Sequence, residues 1–489
     1  AGNRRTFTFS AWVKRGSSLD TSDKVIFGAG TANDADFRIR FSDTNFFDLL
    51  SYNGSSYDFN IRTNQVFRDI SAWYHILVAF DTTQGTASNR IKIYVNGVQE
   101  TSFSTETYPN QNVEMEWNNT VKHLIGARTD NDTPSPIQRY DGYMAEVNLV
   151  DGNAYDPTYF GETKNGVWIP KKYTGSYGTN GFRLQFNQTG VGTASTSTIG
   201  ADTSGNTHHF TSSGIAASDC NMPDSPENNF ATMNPLKVPT SNLATLSEGN
   251  LKCVGPAPGT PTVLSTMAIP TTGKWYAEFE RTAQYNGVGI VKDSIAAISS
   301  HAGVDANGYV YYDTGGNKYN NNSSASYGSS WSNGDIIGIA YNADDGELTF
   351  YKNNSSDGVA YSSLSGEFHF CWSDMGNNSN PAGVWNFGQD SSFAGNSTAQ
   401  GNTDGNGQGD FYYAPPSGHL ALCSANLSDT TIGPTSATQS DDHFNTVLFS
   451  GTGSSPLSVT GMGHQPDLLW LKRRDNATNG HHILYDSIR

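Results

Sequence analysis

"NGDIIGIAYNADDGELTFYKNN", residues 333–354, sets an acidic Asp344-Asp345-Gly346 turn between two short runs of alternating apolar residues. A period of two marks a strand with one face on a core, so Leu348 and Phe350 are expected inward and Thr349 and Tyr351 outward. The turn then reverses the chain between Tyr341 and Leu348, giving an antiparallel hairpin. Asp344, Asp345 and Glu347 lie close together, but the pattern around them makes them turn residues first.

Working outward, the same grammar recurs. In "TFTFSAWVKR" (6–15), Phe7, Phe9, Ala11 and Val13 share one face and Thr8, Ser10, Trp12 and Lys14 the other, the pattern of a half-buried strand. "WYHILVAFD" (73–81), "RIKIYVNGVQE" (90–100) and "GYMAEVNLVDG" (142–152) repeat it, with Asn96-Gly97 as a two-residue hairpin turn. In "GKWYAEFER" (273–281), Trp275, Ala277 and Phe279 face one way and Tyr276, Glu278 and Glu280 the other, which reads as the solvated side. Charged residues are only 15%, aromatics 12%, and 51 Gly supply turns, a composition that reads as all-β. Short strands between polar loops predict tandem antiparallel β-sandwiches, and 489 residues have room for several domains.

The net charge of −17 and the lack of a Lys/Arg stripe argue against nucleic acid as a partner. Apolar runs such as Ile76–Phe80 are far too short for a bilayer span, and no signal-peptide pattern opens the chain, so no membrane insertion is expected. Because a strand pattern starts almost at Ala1 and a patterned segment ends on Arg489, the chain reads as part of a longer polypeptide. Cys220, Cys253, Cys371 and Cys423 are widely spread; four isolated thiols are expected, with one or two disulfides left open. Asn-x-Ser/Thr triplets at Asn53, Asn131, Asn187, Asn396 and Asn476 arise by chance in a chain this rich in these residues.

The common metalloprotease, zinc-ribbon, hydrolase and P-loop signatures are absent from the sequence, as is the Glu-x-Asp-x-x-Glu strand of one glycosidase family. Two carboxylate pairs are candidates for acid–base work: Glu278 with Glu280, two apart on a strand, and Glu114 with Glu116 beside Trp117. For each, a solvated strand face is the expected explanation, with Trp117 as a rim residue. His208-His209 and His481-His482 are adjacent pairs that a strand turns to opposite faces, a poor arrangement for a shared metal.

Several of these stretches carry family resemblances. "FTFSAWVKR", "WYHILVAFD", "IKIYVNG" and "YDGYMAEVNLVDG" resemble successive strands of a laminin-G-like, concanavalin A-like jelly roll over residues 1–172, and "GFRLQFN" with "ADTSGNTHHF" (within 173–210) resembles that family's opening strand and turn. "KWYAEFE", the opening hairpin and "VWNFGQDSSF" (384–393) resemble a SPRY domain over 241–425. Between them, Pro-rich 211–240 reads as a linker or extended arm, and 436–489 as a partial C-terminal β domain.

The first resemblance implies calcium at a loop rim as the one candidate ion, with no cofactor required; Asp202, Asn206 and Glu146 match ligand positions, Glu146 where Asp is usual. Tyr-rich loops offer flat contact surfaces: Tyr52 and Tyr57 in 51–60, and Tyr311, Tyr312, Tyr319, Tyr327 and Trp331 in 311–331. The order of segments resembles virion proteins of tailed bacteriophages, implying a non-enzymatic tail fibre or surface appendage assembled in the host cytoplasm and carried on the particle. Its implied partners are other virion proteins, copies of itself (a trimer for a fibre) and a host-surface glycan or protein. A capsid decoration protein, a secreted cellular lectin or adhesin, and a polysaccharide-degrading enzyme stay open as alternatives.

Overall fold

The structure is a computed structural model that describes residues 1–16, 22–31, 35–114, 116–130, 133–164, 166–220, 222–237, 239, 241–295, 298–428, 443–451, 453, 457–473 and 482–486. Asn131, Asn476 and His481 lie outside the described residues. The chain divides into two compact units, one of Ala1–Phe160 with Lys172–Leu427 and one of Gly161–Lys171 with Ser428–Arg489.

The larger unit holds two antiparallel sandwiches. In the N-terminal one, a six-stranded sheet runs Phe182–Leu184, Gly142–Asp151, Thr6–Arg15, Trp73–Asp81, Ile91–Val95, Val98–Gln99. Its partner sheet runs Lys122–Ile125, Lys24–Thr31, Ala35–Phe41, Phe46–Tyr52, Tyr57–Val66, Phe103–Thr107. Inward-facing Phe7, Phe9, Phe27, Phe37 and Phe80 meet between the sheets around Trp117. Trp117 stacks on Phe27 at 4.1 Å and on Phe7 at 4.5 Å and takes the edge of Phe37 at 4.6 Å. It is fully buried at the centre of the core, not the rim residue the sequence pattern indicated, because the aromatic faces of both sheets converge on it.

The second sandwich has one sheet in the order Thr245–Ser247, Lys252–Val254, Ala382–Asn386, Lys274–Ala283, Ile336–Asn342, Glu347–Lys352, Ser355–Tyr361, with His419–Ala421 added parallel to Lys274–Ala283. The facing sheet runs Thr262–Leu264, Phe368–Asp374, Asn286–Lys292, Gly308–Tyr312, Asn317–Asn320, Ser323–Ser326. The hairpin of 336–352 pairs Tyr341 with Leu348 and buries Leu348 and Phe350 fully. Its acidic turn is used locally: Asn342 Nδ2 donates to Asp345 at 2.6 Å and the Gly273 N–H to Asp344 at 2.8 Å. Gly346 (φ +67°) is required there, since a Cβ would stand 2.4 Å from the Leu364 carbonyl oxygen.

Both central strands depart from the half-buried reading. In Thr6–Arg15 the polar face is buried as well, with Lys14 1% exposed. In Lys274–Ala283 the face of Tyr276, Glu278 and Glu280 is buried rather than solvated. The cause is a second layer on the outer face of each sheet. Tyr173 and Tyr177 pack over Leu77 and Val150 on the first, and Phe230 and Phe411 pack over Tyr276 and Ala340 on the other.

Residues 222–233 form the shared part of that layer. Lys14 Nζ donates to Asp224 Oδ2 at 2.8 Å, Asn229 Oδ1 at 2.7 Å and the Phe230 carbonyl at 3.0 Å, while Trp73 Nε1 donates to Asp224 Oδ1 at 3.0 Å. On the other side, Ala231 N–H donates to Leu422 and Met233 N–H to Asn250. Asn250 Nδ2 reaches back to the Gly16 carbonyl at 2.5 Å and Tyr143 Oη donates to the Gly249 carbonyl at 2.8 Å. Proline keeps this segment from entering a sheet, and its side chains dock instead.

In the smaller unit, Gly161–Lys164 pairs with Val167–Pro170, and Leu468–Lys472 pairs with His482–Asp486, each an antiparallel two-stranded ribbon. All four cysteines are buried free thiols.

Because Lys14 and Asp224 are both buried, removing one partner leaves the other charged and unpaired. Asp224→Ala is expected to lower the unfolding free energy by about 3–5 kcal/mol in urea titrations followed by tryptophan fluorescence, whereas the double variant Lys14→Met/Asp224→Leu recovers most of that loss. A single-variant loss below about 0.5 kcal/mol would mean the pair does not hold residues 222–233 in place.

Candidate functional site

Burial divides the candidate residues. Glu278 is fully buried and accepts the Tyr412 and Tyr413 N–H groups at 2.8 Å each, Asn386 Nδ2 at 3.1 Å and Tyr276 Oη at 3.2 Å. Burial outweighs these bonds and pushes its carboxyl up to about 7. Glu280 is also buried, with Ser397 Oγ donating to one oxygen at 3.2 Å. A sugar cannot reach either, so this pair clamps the 397–413 segment onto the sheet. Glu114 and Glu116 are held by Arg4 and Arg5 at 3.0–3.6 Å.

The calcium candidates do meet in space, but around an arginine. Arg183 Nε and Nη2 donate to the two carboxylate oxygens of Glu146 at 2.8 and 2.7 Å, and the Arg183 N–H donates to Asp202 at 2.9 Å. Asp202 also accepts the Ser204 and His208 N–H groups and Ser204 Oγ, each at 2.9 Å. Burial opposes its charge, yet these bonds win and hold its carboxyl below the ordinary range. Asn206 Nδ2 donates to the carbonyls of Gly178 and Gly181, oxygens that a cation would otherwise take. With its oxygens already receiving N–H donors and a guanidinium in the cation's place, this set does not fit calcium. No group of three or more His, Cys, Asp or Glu is placed to hold a metal ion among the described residues. Arg183 was the residue to notice: an arginine between Phe182 and Leu184 in a strand signals a buried acidic partner. His208 and His209 are likewise used internally, by the Gly181 carbonyl and the Asp202 N–H.

Of the aromatic candidates, Tyr311 and Trp331 are core residues, 4.9 Å apart and packed on Phe350 and Phe279. Gly308–Ser326 folds as a three-strand meander rather than a free loop, with Tyr311 at an inward position and Trp331 just beyond it packed on that ring. Tyr327 is half-buried, its hydroxyl bonded to Gly358 and Phe350 backbone. Tyr312 and Tyr319 stay half-buried in an edge contact at 5.8 Å. Tyr52 and Tyr57 face each other across a hairpin tip at 5.4 Å, with Tyr57 54% exposed. They border the outward face of their sheet, where Arg40 and Arg62 reach Asp48 at 3.0 and 2.7 Å and Arg38 and Arg128 both reach Asp36. Asp48 is fully buried with its oxygens taken by Arg40 and Arg62, so the groups open to a partner here are the Tyr57 ring, with half-buried Tyr52 behind it, and the Arg62 guanidinium, which can stack and hydrogen-bond at once.

A separate, concave region is apolar. A cleft of about 610 Å³ opens where Lys122–Ile125 and Phe182–Leu184 end their respective sheets, floored by Met144, Leu184, Phe186 and Phe210. A smaller one of about 230 Å³ shares His123, Ile125 and Phe210 with it. His123 is fixed by accepting the Asn118 N–H and bonding the Val121 carbonyl, and burial lowers its pKa.

Two predictions separate structure from surface. Tyr311→Ala is expected to cost about 3–5 kcal/mol in urea unfolding and Tyr57→Ala less than about 0.5 kcal/mol. For Glu278, a folded-state pKa of about 7 against an ordinary 4.5 means stability is present below pH 4.5 and lost as pH rises through 7. The wild type is thus expected to lose on the order of 3 kcal/mol across that window relative to Glu278→Gln, measured as the difference between the two stability–pH curves. Parallel curves would show that Glu278 does not titrate there.

Family comparisons agree with this architecture. A model described as the concanavalin A-like lectin/glucanases superfamily (Laminin_G_3) matches residues 2–158, a SPRY domain model matches 274–390, and a domain of unknown function (DUF7483) matches 439–489. Among solved structures, the crystal structure of the SPRY domain of human HERC1 is similar at 17% identity and a TM-score of 0.28, covering 32% of this chain and 97% of that one. The stonustoxin structure is similar at 20% identity and a TM-score of 0.26, covering 32% of this chain and 27% of that one, so the chain spans about a quarter of its length. No curated protein matches the chain. The chain thus carries a laminin-G, concanavalin A-like domain followed by a SPRY domain, each a β-sandwich.

Proposed function

We propose that the protein is a non-enzymatic structural and adhesion component of a tailed-bacteriophage particle, a tail fibre or surface appendage that turns its sandwiches toward the host surface. The observation that carries the reading is that two binding-type sandwiches share one compact unit whose strongest carboxylate candidates serve internal bonds. The segment order resembling tailed-phage virion proteins supports the particle assignment. Copies assemble in the host cytoplasm into a homo-oligomer, a trimer in a fibre, and join other virion proteins.

The surface we assign to host contact is the Tyr52–Tyr57 tip with the Arg62 guanidinium beside it. Tyr57 supplies flat apolar area and the half-exposed Arg62 guanidinium, oriented by buried Asp48, supplies directional bonds, a combination suited to a surface glycan or a polar protein patch. Electron cryo-microscopy of purified particles tests the assignment: density for both sandwiches on a tail appendage is expected. Density on the capsid lattice would overturn the appendage, and absence from particles would overturn the virion reading. On a glycan array, Tyr57→Ala is expected to weaken any captured glycan by about tenfold or more; unchanged capture would move host contact elsewhere.

A further inference from the structure

The apolar cleft has a wall of an unusual kind. His123, Leu124, Ile125 and Gly126 line it consecutively. Side chains on a strand alternate between faces, so a cavity touching four residues in a row touches the strand's edge. Among the described residues, Lys122–Ile125 is the terminal strand of its sheet and pairs only with Lys24–Thr31.

The ladder shows which groups that edge offers. The Gly126 N–H donates to the Ile26 carbonyl, and hydrogen-bonded and non-bonded pairs alternate along an antiparallel ladder. Leu124, opposite Gly28, therefore exchanges bonds with the neighbouring strand. His123 and Ile125 turn their N–H and C=O groups outward, and among the described residues no backbone bond is made to them there. Two donors and two acceptors thus stand in strand register beside an apolar floor, the arrangement that captures an added strand.

Charge narrows the occupant. On a chain of net charge −17, no Asp, Glu, Lys or Arg lines either concavity. Phe210, at their junction, is 49% exposed and presents its ring to whatever enters. A strand laid along His123–Ile125 sends every second side chain toward this floor, and those side chains must be uncharged.

We propose that this seam is a β-augmentation site: an extended segment of a partner polypeptide, with apolar residues at alternate positions and no charge among them, pairs with His123 and Ile125 and fills the cleft over Leu184 and Phe210. The site is independent of the particle assignment and of the Tyr52–Tyr57 surface.

The test uses the full chain and a short acetylated, amidated peptide of alternating Thr and Val, with alternating Thr and Glu as control. Amide hydrogen exchange is expected to slow by about tenfold or more at His123 and Ile125 when the Thr/Val peptide is added, with Leu124 unchanged. Phe210→Asp is expected to weaken binding by about tenfold or more without altering the melting temperature, and Phe210→Leu to retain it. No saturable binding of the Thr/Val peptide, equal binding of the Thr/Glu peptide, or binding without protection of those two amides overturns the proposal.

Discussion

The buried Lys14–Asp224 pair is the constraint on which the larger unit depends. Every proton of the Lys14 ammonium has an acceptor, and both oxygens of Asp224 have donors, so the desolvation of both charges is compensated only while residues 224–230 lie in place. That segment is then committed between two sheets: Asp224 and Asn229 belong to the first, Phe230 and Ala231 to the second. A stretch with neither strand nor helix thereby makes two sandwiches one unit.

The same covering explains the fate of the candidate catalytic groups. A carboxylate on a central strand is free for chemistry only if its face is open, and here both faces of Thr6–Arg15 and of Lys274–Ala283 are closed. Glu278 answers the backbone of Tyr412 and Tyr413, and Glu146 answers Arg183. What remains for partners are positions at the margins: a hairpin tip with its adjoining ion-paired face, and a seam where two sheets end.

Much of the fold was legible. Alternation in 333–354 named the inward residues of the hairpin correctly, because a period of two is a local property of the strand. The laminin-G-like and SPRY assignments came from the resemblance of whole segments to those families, and both domains match family models over 2–158 and 274–390. The candidate sites were less legible. Tyr311 and Trp331 look like loop aromatics by composition, yet the meander that carries Tyr311 turns it into the core, and the chain leaving that meander brings Trp331 against it. Trp117 sits beside acidic residues in sequence and among phenylalanines in space.

By itself, then, the sequence determined the all-β class, the hairpin of 336–352 and the inward residues of strands such as Thr6–Arg15 and Glu347–Lys352, all set by neighbours within a few residues. Only the tertiary structure decided what lies on the outward faces. Lys14 and Asp224 are 210 positions apart, and Glu278 meets Tyr412 across 134. Alternation states that a strand has two sides; whether the second is wet depends on which distant segment comes to rest on it, and no local pattern carries that information.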